Sequence, residues 1–204
     1  MLKFKSFIII ISLFYSISSL AYAPEEGHVT SYFGPFLYKT NFSGSKSGAY
    51  SPVLGGLGLV VNGDVSDKGS LEIAIFQMNK TYFREDAGNF MAEQTALTHI
   101  TMGYRWWLSE RYSTSLTFFS AYSMGQVQIV HSDFAPGAEI DTSARDKVEY
   151  GFDFAVQAEL YSRESYAVVL DTRYSKSVTN KKDEYGDHYG VMLALRFSIQ
   201  EKKN

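Results

Sequence analysis

Apolar and polar residues alternate with a period of two along most of this chain, and a period of two belongs to strands. The pattern is cleanest near the C-terminus. There Tyr189, Val191, Leu193, Leu195, Phe197 and Ile199 are apolar, with Gly190, Met192, Ala194, Arg196 and Ser198 between them. Tyr166, Val168, Leu170, Thr172 and Tyr174 alternate with Ala167, Val169, Asp171, Arg173 and Ser175. Val148 to Leu160 sets Tyr150, Phe152, Phe154 and Val156 against Glu149, Asp153, Gln157 and Glu159. Upstream, Ile100, Met102, Tyr104 and Trp106 oppose His99 and Arg105, and Leu116 and Phe118 fall in a similar run from Tyr112 to Tyr122. Val53 to Val61 and the stretch from Leu71 to Ile75 continue the series. A first strand is expected over Val29 to Lys39, where Pro35 is tolerable at an edge, a bulge or a strand end.

The connections predict the topology. Three are tight, near 66–69, 109–111 and 162–165, and four are long and polar, near 40–52, 84–95, 128–146 and 176–187. Short and long connections alternate, as they do in transmembrane barrels with short periplasmic turns and long extracellular loops. A soluble barrel or sandwich also alternates, but its apolar face points inward. The Tyr, Phe and Leu side chains here are more than a lumen of about eight strands can hold. The expected fold is therefore all-β: a single transmembrane antiparallel up-and-down barrel of about eight strands, with both termini periplasmic. Aromatic girdles are expected at both interfaces. Trp106, Tyr112 and Phe197 would form the short-turn girdle, and Tyr38, Tyr82, Tyr122, Tyr150, Tyr174 and Tyr189 the loop-side one.

The N-terminus fits export. Lys3 and Lys5 precede an apolar stretch from Phe7 to Leu20, and Ala21-Tyr22-Ala23 supplies small residues for a signal peptidase. A cleaved signal peptide over 1–23 and an outer-membrane barrel domain over 24–204 are expected, with a retained N-terminal anchor as the alternative. After removal of Lys3 and Lys5, 17 basic residues face 22 acidic ones, a net charge of −5. With no basic stripe, this balance gives no reason to expect nucleic-acid binding. Cysteine is absent, which excludes disulfide frameworks and thiolate metal sites.

The last strand carries the most specific resemblance. A polar residue, glycine and spaced apolar residues fall on His188, Gly190, Leu193, Leu195 and Phe197. This resembles the insertion signal of small outer-membrane barrels related to the OmpA transmembrane domain and the opacity proteins. Those families usually end on the aromatic residue, whereas this chain continues from Ser198 to Asn204. The resemblance implies the outer membrane of a Gram-negative-type bacterium, with outer-membrane lipid and lipopolysaccharide as surroundings. It also implies the barrel-assembly machinery as a partner during insertion.

Candidate chemistry lies on the inward face. Glu72, Arg105, Glu159 and Arg196 are expected three to five residues from the short-turn end of their strands, with Asp153, Asp171 and Arg173 further up. Charges in a narrow dry lumen must pair and hydrogen-bond. They read as a structural plug or, alternatively, as the gate of a narrow channel for small or hydrophobic solutes. Lipid A-modifying enzymes are barrels of similar size that use His with Ser and an acid. Here His99, His131 with Ser132, and His188 with Asp187 show no such spacing on a lipid-facing stretch, so no catalytic residue is assigned. No motif indicates a cofactor or metal site; Asp183, Glu184 and Asp187 read as a solvated acidic loop. The leading function is a non-enzymatic surface protein, structural or binding an extracellular ligand or surface partner through loops 84–95 and 128–146.

Overall fold

The computed structural model describes residues 22–199 apart from Ser47, Glu139, Glu164 and Ser165. Most of the expected signal peptide, the tail after residue 199 and part of the turn at 162–165 lie outside the described residues. Among the described residues ten strands form: β1 (Val29–Thr40), β2 (Leu54–Ser66), β3 (Gly69–Asp86), β4 (Asn89–Trp107), β5 (Tyr112–Ser123), β6 (Gln128–Ser132), β7 (Val148–Ser162), β8 (Tyr166–Ser177), β9 (Glu184–Tyr185) and β10 (His188–Ile199). Among the described residues no helix is long and apolar enough to cross a membrane.

Eight of the strands close a ring in the order β1-β2-β3-β4-β5-β7-β8-β10, every pairing antiparallel. The seam between the first and last strands runs from Val29 opposite Ile199 to Thr40 opposite His188. Closure satisfies the backbone groups without leaving an edge, the condition for a sheet that crosses lipid. Pro35 lies in mid-strand of the closed ring with no register shift, at none of the expected edge, bulge or strand-end positions. The β1–β10 ladder lapses there, between Phe33–Leu195 and Phe36–Met192, because proline offers no N–H.

Alternation decides the faces. Phe33, Leu37, Leu57, Ile73, Ile75, Met102, Leu116, Phe118, Phe152, Phe154, Leu193 and Leu195 all lie outward and exposed. In water such a belt would be prohibitive; in a bilayer it is the solvated face. The intervening residues turn inward and are buried, among them Glu72, Arg105, Asp153, Asp171 and Arg173. Trp106, Tyr112, Tyr122, Tyr150, Tyr174, Tyr189 and Phe197 are outward at the ends of the belt. Tyr38 and Tyr82 are not in the girdle. Both are in register with the inward set and lie inside, 3% and 2% exposed.

The expected loop at 84–95 is also corrected. β3 and β4 stay paired far past the membrane, from Gly69–Trp106 to Asp86–Asn89. The turn is only Ala87-Gly88, both with positive φ (47° and 76°), the pair of conformations a two-residue hairpin turn of matching twist requires. Strands of 18 and 19 residues exceed the roughly 9–11 needed to span. The surplus projects as a hairpin beyond the end of the barrel that carries the long connections. β6 flanks it on β4 and β9 on β3, so a four-stranded sheet in the order β6-β4-β3-β9 stands above the barrel. The 128–146 and 176–187 connections are therefore partly structured, and Ser143–Arg145 forms a 3-10 turn over the mouth.

Candidate functional site

The inward residues stack in layers. At the short-turn end Arg196 meets Glu159, and its guanidinium lies 4.4 Å from the Tyr22 ring and 5.9 Å from the Trp107 ring. Trp107 Nε1 donates to Ser70 Oγ at 2.8 Å, and Ser70 donates to Asp64 at 2.5 Å. Tyr22 also donates to Asp64. Cleavage after Ala23 would remove this tyrosine and leave the Ser70 and Glu25 N–H bonds to Asp64 in place.

Arg105 holds the middle layer and is wholly buried. Its Nε donates to Glu72 at 2.6 Å, one terminal nitrogen to Ser113 at 2.7 Å and Gln157 at 3.2 Å. The other reaches Tyr32 at 3.0 Å and Asp171 at 3.1 Å. Arg173 donates to the second Glu72 oxygen at 2.9 Å and to Asp153 at 3.3 Å, and stands 3.5 Å from Asp171. His99 Nε2 lies 3.0 Å from Asp153. Two guanidiniums and an imidazole thus serve three carboxylates in a buried space, where a charge without partners costs several kcal/mol.

The expected charge set divides. Glu72, Arg105, Asp153, Asp171 and Arg173 come together, while Glu159 and Arg196 form a separate pair below. Their similar distance along the strands did not bring them level, because strand tilt and stagger shift each strand against the next.

Above this layer the lumen turns aromatic. Phe36, Tyr38, Phe76, Phe119 and Met192 pack around His99 and His188, whose rings are 5.5 Å apart. A Cβ on Gly190 would overlap the Phe36 ring, so the glycine of the expected insertion signal is also where this layer needs room. His188 and Gly190 face inward, and Leu193, Leu195 and Phe197 outward.

Sequence reasoning did not single out the next pair. Lys80 Nζ lies 2.6 and 2.8 Å from the two Glu149 oxygens, and Tyr82 donates to the same carboxylate at 2.5 Å. Lys80 follows Glu72 in phase and Glu149 precedes Asp153 in phase, so the period was the available signal.

Above this pair, the 141–146 and 181–184 segments are tied to each other and to β4, forming a roof over the mouth. Thr142 donates to Glu93, whose other oxygen accepts from Arg145 at 3.0 Å. Glu184 accepts from the Ser143 N–H at 3.0 Å, from Ser143 Oγ at 2.9 Å and from the Lys181 N–H at 2.8 Å. Lys181 Nζ bonds Asp141 at 2.5 Å and stands 3.6 Å from Asp146.

Burial raises the Glu184 carboxyl above the ordinary range near 4.5, opposed by its hydrogen bonds and assisted by Glu149. An acid with a raised folded pKa binds its proton more tightly when folded. Its contribution to stability is therefore present at low pH and lost as pH rises from about 4.5 through the folded value. Amide exchange at 142–146, corrected for intrinsic rates, is expected to be faster at pH 7 than at pH 5. Glu184→Gln should remove most of that difference; an unchanged pH dependence would place its cause elsewhere.

On the outer face of the projecting hairpin Phe83 and Phe90 are buried with Ala92 beneath the 41–52 loop. Phe42 stacks on Phe83 at 4.3 Å, and His131 on Phe90 at 4.4 Å. Between that loop and β6 a cavity of about 360 Å³ remains, walled by Phe83, Phe90, His131, Val130 and Tyr50, with Lys46, Asp133 and Gln94 among its polar groups. Among the described residues no group of three or more His, Asp or Glu is arranged to hold a metal ion.

No family model matches this chain, and neither does any curated protein. Solved structures do. OprG, an outer membrane protein of Pseudomonas aeruginosa, superposes with a TM-score of 0.59 at 10% identity, covering 88% of this chain and 99% of that one. Ail, the attachment invasion locus protein of Yersinia pestis, gives 0.50 at 12% identity, covering 85% and 99%. Its complex with the heparin analogue sucrose octasulfate gives 0.51 at the same identity and coverage. At these identities the likeness is one of fold. With the apolar belt, it makes this chain an eight-stranded transmembrane β-barrel of the fold that these outer-membrane proteins share.

Proposed function

We propose that the barrel is a closed surface protein: its lumen is a structural plug, and its extracellular sheet and the 128–146 connection meet a partner. The observation that carries this reading is the unbroken series of side-chain layers, from Arg196–Glu159 through Arg105, Glu72 and Arg173 to Lys80–Glu149 and the roof over the mouth. Each layer is held by buried charge pairs or carboxylate hydrogen bonds, and such groups rearrange only by leaving a charge unpaired. Lipid and lipopolysaccharide surround the belt in this reading. His188, Gly190, Leu193, Leu195 and Phe197 serve recognition by the assembly machinery.

Recordings in planar bilayers test it. The wild-type protein is expected to give no steps of unitary conductance above the bare bilayer, and Arg105→Ala infrequent, irregular ones. Regular openings of the wild type, altered by Arg105→Ala, would establish the channel instead.

A further inference from the structure

The chain just before β1 is tied to the short-turn end of the barrel. Gly27 donates its N–H to the Asp64 carbonyl at 2.9 Å, and Asp64 donates its own to the His28 carbonyl at 2.8 Å. The Glu25 N–H reaches the Asp64 carboxylate at 3.2 Å. Beyond this turn the Tyr22 side chain returns to the lumen and is half-buried, whereas Ala23 is exposed.

Three buried groups hold that side chain. The Tyr22 hydroxyl donates to Asp64, which is 4% exposed. Its ring centre lies 4.7 Å from that of Trp107, and the Arg196 guanidinium stands 4.4 Å from it. Arg196 bonds Glu159 through one terminal nitrogen, and the other has no hydrogen-bond partner among the described residues. The faces of Tyr22 and Trp107 are what remains to this cation, and a ring face attracts a guanidinium at such distances.

Whether the mature protein keeps this side chain depends on which bond the signal peptidase cuts. Ser19 and Ala21 are small at the third and first positions before the Ala21–Tyr22 bond, as Ala21 and Ala23 are before the Ala23–Pro24 bond. The two bonds differ in the residue that follows. Pro24 carries a ring on the scissile nitrogen, which crowds the backbone of Ala23 and leaves no N–H by which a protease could hold the bond. Tyr22 presents neither obstacle.

From the seat and the proline together we infer that the export signal is cut between Ala21 and Tyr22. Tyr22 is then the first residue of the mature chain, and its ring closes the short-turn end of the lumen. The step is a hydrolysis with the host's signal peptidase as catalyst. The oxygen of one water goes to Ala21, which ends as a carboxylate, and its two protons go to the Tyr22 nitrogen, which becomes the new α-ammonium. The peptidase meets the chain before the barrel exists, so Pro24 decides the bond. The fold then uses the residue that this choice preserves.

This inference rests on the reading of the N-terminus as an export signal and is independent of what the loops bind. The test expresses the full chain in a Gram-negative host, extracts it from the outer membrane and reads its N-terminus by sequencing and intact mass. The mature protein is expected to begin at Tyr22, and Pro24→Ala to add a species beginning at residue 24. A wild-type chain that begins at Pro24 would overturn the inference alone; one that keeps residues 1–21 would overturn the export reading with it. The seat is tested separately in a Trp106→Phe background, where Trp107 is the one remaining tryptophan. There Tyr22→Ala should shift the Trp107 emission to the red and open it to quenching by acrylamide. Tyr22→Phe, which keeps the ring and loses the bond to Asp64, should do so far less. Equal emission and quenching with and without the ring would show that Tyr22 does not close the lumen.

Discussion

Arg105→Leu is expected to destabilise the barrel by about 3–5 kcal/mol, the cost of removing one partner from a buried charge network. The guanidinium makes hydrogen bonds to Glu72, Asp171, Tyr32, Ser113 and Gln157 from a position with no solvent exposure. Its loss leaves Glu72, Asp153 and Asp171 facing Arg173 and His99 alone. Leucine fills part of the volume but satisfies none of the acceptors.

The mechanism makes a second, sharper statement. Glu72→Leu in the Arg105→Leu background removes a carboxylate that has lost its nearer partner, so the double variant should be more stable than Arg105→Leu itself. Urea unfolding from lipid vesicles, followed by the fluorescence of Trp106 and Trp107, measures both. A double variant as unstable as the sum of the two single changes would mean that packing volume, and not charge balance, holds this layer.

The second large effect is expected on the opposite face. Leu193→Arg should cost about 2–4 kcal/mol, because its side chain points outward midway along the apolar run of β10, with Leu170 of β8 opposite. At Tyr189, four residues toward the end that carries the long connections, the same change should cost about 0–1 kcal/mol, since the charge reaches the headgroups. The contrast is the measurement. Equal penalties at the two positions would show that the bilayer does not grade along this strand as the belt implies. A soluble barrel would tolerate arginine at both, because each side chain would face water.

Parity was legible because it is local. Whether Glu72 or Ile73 faces the lumen depends only on the pleat, which reverses at every residue, so a short window of sequence assigns both faces. The same parity placed Lys80, Tyr82 and Glu149 inside. Arg84 to Asn89 has the composition of a loop, so composition ends the strand where parity continues it. Outside the membrane a strand needs no apolar face, and only the continued β3–β4 ladder shows that the hairpin persists to Ala87-Gly88. Residue type alone puts Tyr38 and Tyr82 in the girdle near strand ends, where aromatics are common, whereas their register turns them inward.

The sequence by itself determined the class of fold, the inward and outward faces and the absence of cysteine chemistry, each a property of one strand or of composition. The tertiary structure alone decided which charges meet. Arg105 joins Glu72, Asp171 and Arg173, while Arg196 pairs with Glu159 below them. Stagger between tilted strands accumulates around the barrel, so residues at equal heights along their own strands arrive at different levels in the lumen. The partners of Phe83 and Phe90 were hidden for a related reason. Their burial depends on a loop tens of residues away in the chain, and that contact exists only once the barrel has closed.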